Sequence, residues 1–247
     1  MTPQNSVLRL PRNLLFAISA RIGGSGLDTD AFEALRASYR GGFLGEAIAY
    51  DNRQSEIPAA KIKSLRWHPV RLLSSMERPY YYGAKKHYAD WIAARELATG
   101  RFDLFHSWSG DCLKTLRVAR QRRIPSIVEI PTWHRGGQRL ASRKDPPPPT
   151  TKRGFARWKD NLLARPARYL EEYDLATLLI VLSEKAAETF RRQGISDDKL
   201  FYLPRGVDAE RFRPGTRPEK FRVIFSGALI ERKGIHHLLE AWHRLEL

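Results

Sequence analysis

A chain of 247 residues with 42% hydrophobic side chains holds enough apolar material for a core of domain size, which excludes a wholly disordered protein. Its single cysteine, Cys112, excludes an internal disulfide and any zinc site built on several cysteines, and no apolar run nears the ~20 residues that span a bilayer. The formal charge of +16 favours a polyanionic partner without naming it.

Taken in chain order, Arg9 and Arg12 ahead of LLFAISA imitate a signal peptide. A run this short, followed at once by Arg21 and a glycine loop, reads instead as a first β-strand over Leu14–Ala20. Asp28–Tyr39 follows as a helix capped by Asp28 or Thr29, and Glu46–Tyr50 as a weaker strand. Val70–Thr99 carries helical patterning interrupted near Pro79. Two short strands, Phe102–Ser107 and Ser126–Ile130, flank a helix over Asp111–Arg122. Two more, Ala176–Leu182 and Leu200–Leu203, surround a helix from Glu184 to Gln193 that Gly194 closes. Short strands alternating with helices predict an α/β protein with a doubly wound parallel sheet.

The charge is unevenly spread. Between Arg135 and Arg168 ten lysines and arginines stand against Asp145 and Asp160, so half of the +16 sits in this segment. Pro146–Pro149 must be extended, and Phe155, Trp158, Leu162 and Leu163 recur at helical spacing before Pro166 breaks the pattern. A basic, aromatic-bearing helix suits an anionic membrane surface, each cation contributing ~1 kcal/mol. It also suits nucleic acid, although no recognition motif supports that partner, or it is simply a solvated face.

In an open parallel sheet, ligands gather at the carboxyl ends of the strands. That rule nominates the loops after three strands. Gly23, Gly24 and Gly26 follow the first, where a backbone can approach an oxygen-rich ligand beside a helix N-terminus. His106, Ser107 and Trp108 end a second, where an exposed indole would form a platform for a sugar and a buried one would be core. Thr132, Trp133, His134 and Arg135 follow a third. A neutral imidazole at His134 could hydrogen-bond a sugar, and Arg135 could meet an anion. No His, Asp or Glu cluster has metal-ligand spacing, and no carboxylate pair marks a glycosidase.

The last fifty residues say most. Pro204-Arg205-Gly206-Val207-Asp208, with Phe212 and Pro214, leads to an apolar run expected to be a strand, Val223–Phe225. A turn at Gly227-Ala228, the charges Glu231, Arg232 and Lys233, and a helix opened by Gly234 follow. The unit suits a phosphate, although a surface turn with solvated charges has the same composition. This order and spacing resembles the middle of a retaining, GT-B-type glycosyltransferase of family 4, with its PNGVD-x-x-x-F-x-P element, GR turn and KG-initiated helix. The Thr132-Trp133-His134 triplet is similar to that family's T-x-H element.

The resemblance implies two Rossmann-like domains with a site between them. Residues 1–210 would be the acceptor-side domain and 211–247 the start of the donor-side domain, cut short before the E-x7-E carboxylates that hold the ribose. The chain is therefore expected to be a fragment, inactive alone. By resemblance, His134 is the catalytic candidate, and Gly23, Gly24 and Lys233 bind the diphosphate of a nucleotide sugar. Ala228 stands where the family has an arginine, leaving Arg232 and Arg205 as substitutes. His106, Trp108 and Arg135 face a glycan or lipid-linked acceptor. No metal and no cofactor beyond the donor is implied. The location expected is cytoplasmic and peripheral at the inner membrane face. The alternatives are a non-catalytic protein of the same fold that binds an anionic surface through residues 135–168, and, less favoured, a nucleic-acid-binding protein.

Overall fold

The computed structural model describes residues 12–24, 27–67, 69–75, 78–136, 169–207, 209–210, 212–215 and 221–245. The basic, proline-bearing segment beyond Gly136, up to Arg168, lies outside them, as does Asp208. Two units divide between Arg205 and Gly206.

The first unit is a parallel sheet. β1 (Leu14–Ile22) is buried continuously from Leu14 to Ile18, as expected of a central strand covered on both faces. α1 (Leu27–Arg40) buries Ala31, Leu35 and Ser38, one stripe at helical spacing. Asp28 and Asp30 in its first turn and Arg40 in its last suit the helix dipole. β2 (Leu44–Asn52) and β3 (Ile62–Ser64) follow, then a short 3-10 turn over Pro69–Leu73. α2 (Arg78–Leu97) carries Pro79 in its first turn, where a missing N–H costs nothing. The helical patterning is thus interrupted ahead of Pro79 rather than broken by it.

β4 (Leu104–Trp108), α3 (Leu113–Arg122), β5 (Ser126–Ile130), α4 (Tyr169–Leu175), β6 (Leu178–Val181), α5 (Glu184–Arg191) and β7 (Leu200–Tyr202) complete the unit. Ser183 caps α5, its hydroxyl accepting the Ala186 N–H at 3.1 Å. The strand order is β3-β2-β1-β4-β5-β6-β7, and every ladder is parallel. Successive strands run outward one way from β1 and the other way from β4, which is the doubly wound, Rossmann-like arrangement. It puts the topological switch point between β1 and β4.

β3 was not foreseen, because three residues with one apolar side chain leave no alternation to read. Alternate residues of β1 feed two cores. Leu15 and Ala17 pack with Ala89, Ala93 and Leu97 of α2, whereas Phe16 and Ile18 pack with Ala31 and Leu35 of α1.

The second unit holds a 3-10 turn, Glu231–Lys233, and α6 (Ile235–Arg244), with Gly234 between them at φ +70°. The strand expected at Val223–Phe225 is absent. Ile224 is 81% exposed, and no strand among the described residues offers this segment a ladder partner, so its propensity goes unused.

Candidate functional site

At the carboxyl edge the β1–β4 ladder ends with Ala17 opposite Ser107, whose hydroxyl donates to the Ala17 carbonyl at 2.7 Å. Beyond that point β1 is irregular, its register against β2 shifting between Ile18 and Arg21. The Ser19 N–H finds its acceptor in Asp111 Oδ2, at 2.9 Å, from the loop after β4. Asp111 Oδ1 lies 2.7 Å from Lys86 Nζ of α2, an ion pair whose alignment falls short of a hydrogen bond. A buried carboxylate thus joins both sides of the switch point to a lysine.

Gly23 closes β1 at φ +77°, the left-handed region. A β-carbon there would also stand 2.8 Å from Gln54 Cβ in the loop after β2. Asp28 and Thr29 lie inside the first turn of α1 and bind the loop: Asp28 Oδ1 accepts the Arg21 N–H at 3.3 Å, and Thr29 Oγ1 donates to the Gly24 carbonyl at 3.0 Å. Arg205, at the end of the first unit, places Nη1 2.7 Å from Asp30 Oδ2 in the same helical turn. The structure therefore brings Arg205 to the helix that starts at the Gly23-Gly24 loop.

The two residues nominated at the end of β4 are buried. Trp108 is 8% exposed and packs with Phe16 and Ile18 in the core beneath α1; its Nε1 has no hydrogen-bond acceptor among the described residues. His106 lies edge-on to Phe16, with Nε2 2.9 Å from Glu129 Oε1. The cause is strand parity, since residues 106 and 108 share the face that Phe16 covers. Trp108 therefore presents no indole face at this edge.

His134 is 5% exposed. Its ring packs against both Tyr173 and Phe190, with centroids at 5.1 and 4.8 Å, and Nδ1 accepts the Gly136 N–H at 3.1 Å. Burial lowers its pKa, against a smaller opposing effect of Asp174. The imidazole is neutral at pH 7, with the proton on Nε2. The Arg135 guanidinium stacks on Tyr169 at 5.1 Å. Tyr169 in turn crowds Gly110, where a β-carbon would lie 2.9 Å from Tyr169 Cε1 and 3.3 Å from Lys86 Nζ. Arg135, Tyr169, Gly110 and Lys86 are thus neighbours. Behind them Glu172 is buried, and its Oε2 accepts the Gly110 N–H at 2.6 Å.

Sequence reasoning passed over Lys85, Lys86, Tyr50, Asp111 and Glu172. Lys85 Nζ lies 4.0 Å from the centroid of the Tyr50 ring and 5.1 Å from that of Tyr82. Its pKa is lowered to about 8, first by burial and then by Arg21 and Lys86, while Asp111 and Asp28 act in the opposite direction. Tyr50 and Tyr81 share a 2.6 Å hydroxyl contact, and burial together with that bond pushes Tyr81 up to about 12. The signal available was YYYGAKK, tyrosines and paired lysines on one helix.

In the second unit, Lys233 is exposed, its N–H donating to the Ile230 carbonyl at 2.9 Å. Arg232 shares its turn, with its side chain outside the described residues. Among the described residues no group of three His, Cys, Asp or Glu could hold a metal, and no helix is long and apolar enough to cross a membrane. A cavity of about 580 Å³ opens at the amino edge of β5, β6 and β7, beside Arg123, Pro125, Thr177 and Lys199. That edge is opposite the switch point.

Residues 48–211 match the pattern of Glycosyltransferase Family 4, and the chain belongs to that family. Among solved structures it is similar to WaaG, a glycosyltransferase involved in lipopolysaccharide biosynthesis, at 14% identity and a TM-score of 0.48 over 80% of this chain and 46% of that one. It is similar to UGT71G1 of Medicago truncatula, complexed with UDP-glucose, at 14% identity and a TM-score of 0.45 over 93% and 56%. It is similar also to the UDP-GlcNAc 2-epimerase of Methanocaldococcus jannaschii, at 10% identity and a TM-score of 0.44 over 77% and 45%. The chain spans about half the length of these structures. No curated protein matches it.

Proposed function

We propose that the protein transfers a glycosyl group from a nucleotide sugar to a glycan or lipid-linked acceptor, with retention at the anomeric carbon, and works in the cytoplasm at the inner membrane face. Residues 1–210 form the acceptor-side domain of a GT-B enzyme, and 211–247 begin the donor-side domain. The observation that carries the reading is the family membership over residues 48–211. The topological switch point between β1 and β4, where open parallel sheets take their ligands, supports the reading.

In this reading the Gly23-Gly24 backbone and the N-terminus of α1 approach the donor diphosphate, as the glycine at φ +77° permits. Lys233, at the turn that opens α6, supplies a cation to the same group. These charges stabilise the leaving nucleoside diphosphate as the glycosidic bond breaks, the electrostatic work that a metal performs in other transferases. His134, through Nε2–H, would hydrogen-bond the sugar from the apolar wall formed by Tyr173 and Phe190. Ala228 removes a guanidinium that would have contributed ~1.5–3 kcal/mol to donor binding.

The test is donor-dependent release of nucleoside diphosphate by the protein with its full reading frame, across uridine, guanosine and adenosine diphosphate sugars. Lys233→Ala should weaken donor affinity by roughly tenfold or more. Unchanged affinity would remove Lys233 from the site, and no release with any donor would sink the reading.

A further inference from the structure

We propose that Lys85 is an anion-binding residue of the acceptor site, its ammonium held between Tyr50 and Tyr82 at the switch point to receive a phosphate or carboxylate that the acceptor carries. Calling the anion part of an acceptor rests on the glycosyltransferase reading; that an anion binds there does not.

Four observations support the assignment. Lys85 stands on α2, which packs on β1 and β2 at the edge where an open parallel sheet takes its ligands. No carboxylate of the described residues lies within ion-pair distance of Lys85, whereas its neighbour Lys86 has Asp111 at 2.7 Å. The charged and titratable groups that face it come from every adjoining element: Arg21 of β1, Asp28 of α1, Tyr50 of β2, Lys86 and Tyr82 of α2, and Asp111 after β4. Of these, both carboxylates are committed. Asp28 accepts the Arg21 N–H, and Asp111 accepts the Ser19 N–H while pairing with Lys86. Positive charge is in excess, and an anion reaching Lys85 and Arg21 would offset it.

The tyrosine rings define how such a site works. Their faces hold the ammonium by cation–π attraction and exclude water from its flanks, so a charged partner there interacts through less solvent than at the surface. The ammonium is half spent at pH 8, because burial favours the neutral amine. A bound anion reverses that preference.

The experiment uses the whole chain with its lysines dimethylated by carbon-13 formaldehyde, followed by NMR. Lys85 is assigned by the resonance missing from Lys85→Gln, and the probes are inorganic phosphate and, separately, acetate. The expected result is a saturable shift of the Lys85 resonance at pH 7, with a titration midpoint raised by about one unit when the anion is present. Phosphate binding in unmodified Lys85→Gln should be roughly tenfold weaker, and Lys85→Arg should retain it. A response to phosphate alone identifies a phosphorylated ligand, and an equal response to acetate a carboxylate. If Lys85→Gln does not fold, assignment by Lys85→Arg leaves the titration decisive. No saturable shift with either anion, or equal affinity in Lys85→Gln, overturns the proposal. Anion binding without glycosyl transfer would leave this site standing and remove the acceptor role, while transfer without anion binding would overturn the site and leave the glycosyltransferase reading standing.

Discussion

Asp111 Oδ2 accepts the Ser19 N–H at 2.9 Å across the point where β1 and β4 separate. A strand that leaves its neighbour must find another acceptor for each buried N–H, and here a carboxylate supplies it. Asp111→Asn keeps an acceptor oxygen, whereas Asp111→Ala leaves the N–H unpaired at ~1–3 kcal/mol. Urea denaturation should therefore rank the variants wild type, Asn, Ala. Equal midpoints for Asn and Ala would show that the bond contributes nothing.

Gly23 and Gly42 have nearly the same φ, +77° and +76°, but differ in surroundings. A β-carbon at 23 meets Gln54 at 2.8 Å, and one at 42 meets nothing within 4 Å. Gly42→Ala should cost about 1 kcal/mol from strain alone. Gly23→Ala should exceed it by about 1–2 kcal/mol of steric conflict in thermal unfolding. If the two costs are equal, the Gln54 contact does not constrain the loop.

Lys85 carries a stability penalty at neutral pH. Its folded pKa of about 8 lies below the ordinary 10.5, so below pH 8 the folded state holds a proton that burial disfavours. Between about pH 8 and 10.5 the unfolded chain binds more protons, and stability rises with pH. Lys85→Met should stabilise the protein at pH 7 by about 1–2 kcal/mol, less than the full shift because the group is partly solvated. The advantage should vanish by pH 11, roughly where both states are neutral. A constant difference across this range would show that the gain is packing.

His134 acts in the same pH sense, in a lower window. Its lowered folded pKa means that stability is present above the unfolded value of 6.5 and is lost as pH falls through that value toward the folded one. Melting temperatures from pH 8 to 5 should fall more steeply for the wild type than for His134→Phe. His134→Ala should cost about 2–4 kcal/mol, since it leaves a cavity beside the packed rings of Tyr173 and Phe190. A catalytic role needs a separate reading: transfer per folded molecule should drop further in His134→Phe than its stability does.

The alternation of short apolar runs and helices was enough to predict a parallel α/β sheet, because a strand buried on both faces must be apolar throughout. Leu14–Ile18 carried that signal. The glycine after the first strand was legible too, since few other residues accept a left-handed turn beside a crowded loop. The place of a side chain across the sheet was not. Trp108 and His106 read equally well as platform or core until strand parity put both beneath α1, and the apolar Val223–Phe225 remained without a strand for want of a partner. The cluster of Lys85, Lys86, Tyr50 and Asp111 comes from three elements far apart in sequence. Local periodicity records which face a residue takes on its own element. Only the order of strands in the sheet decides which distant charges meet at its edge.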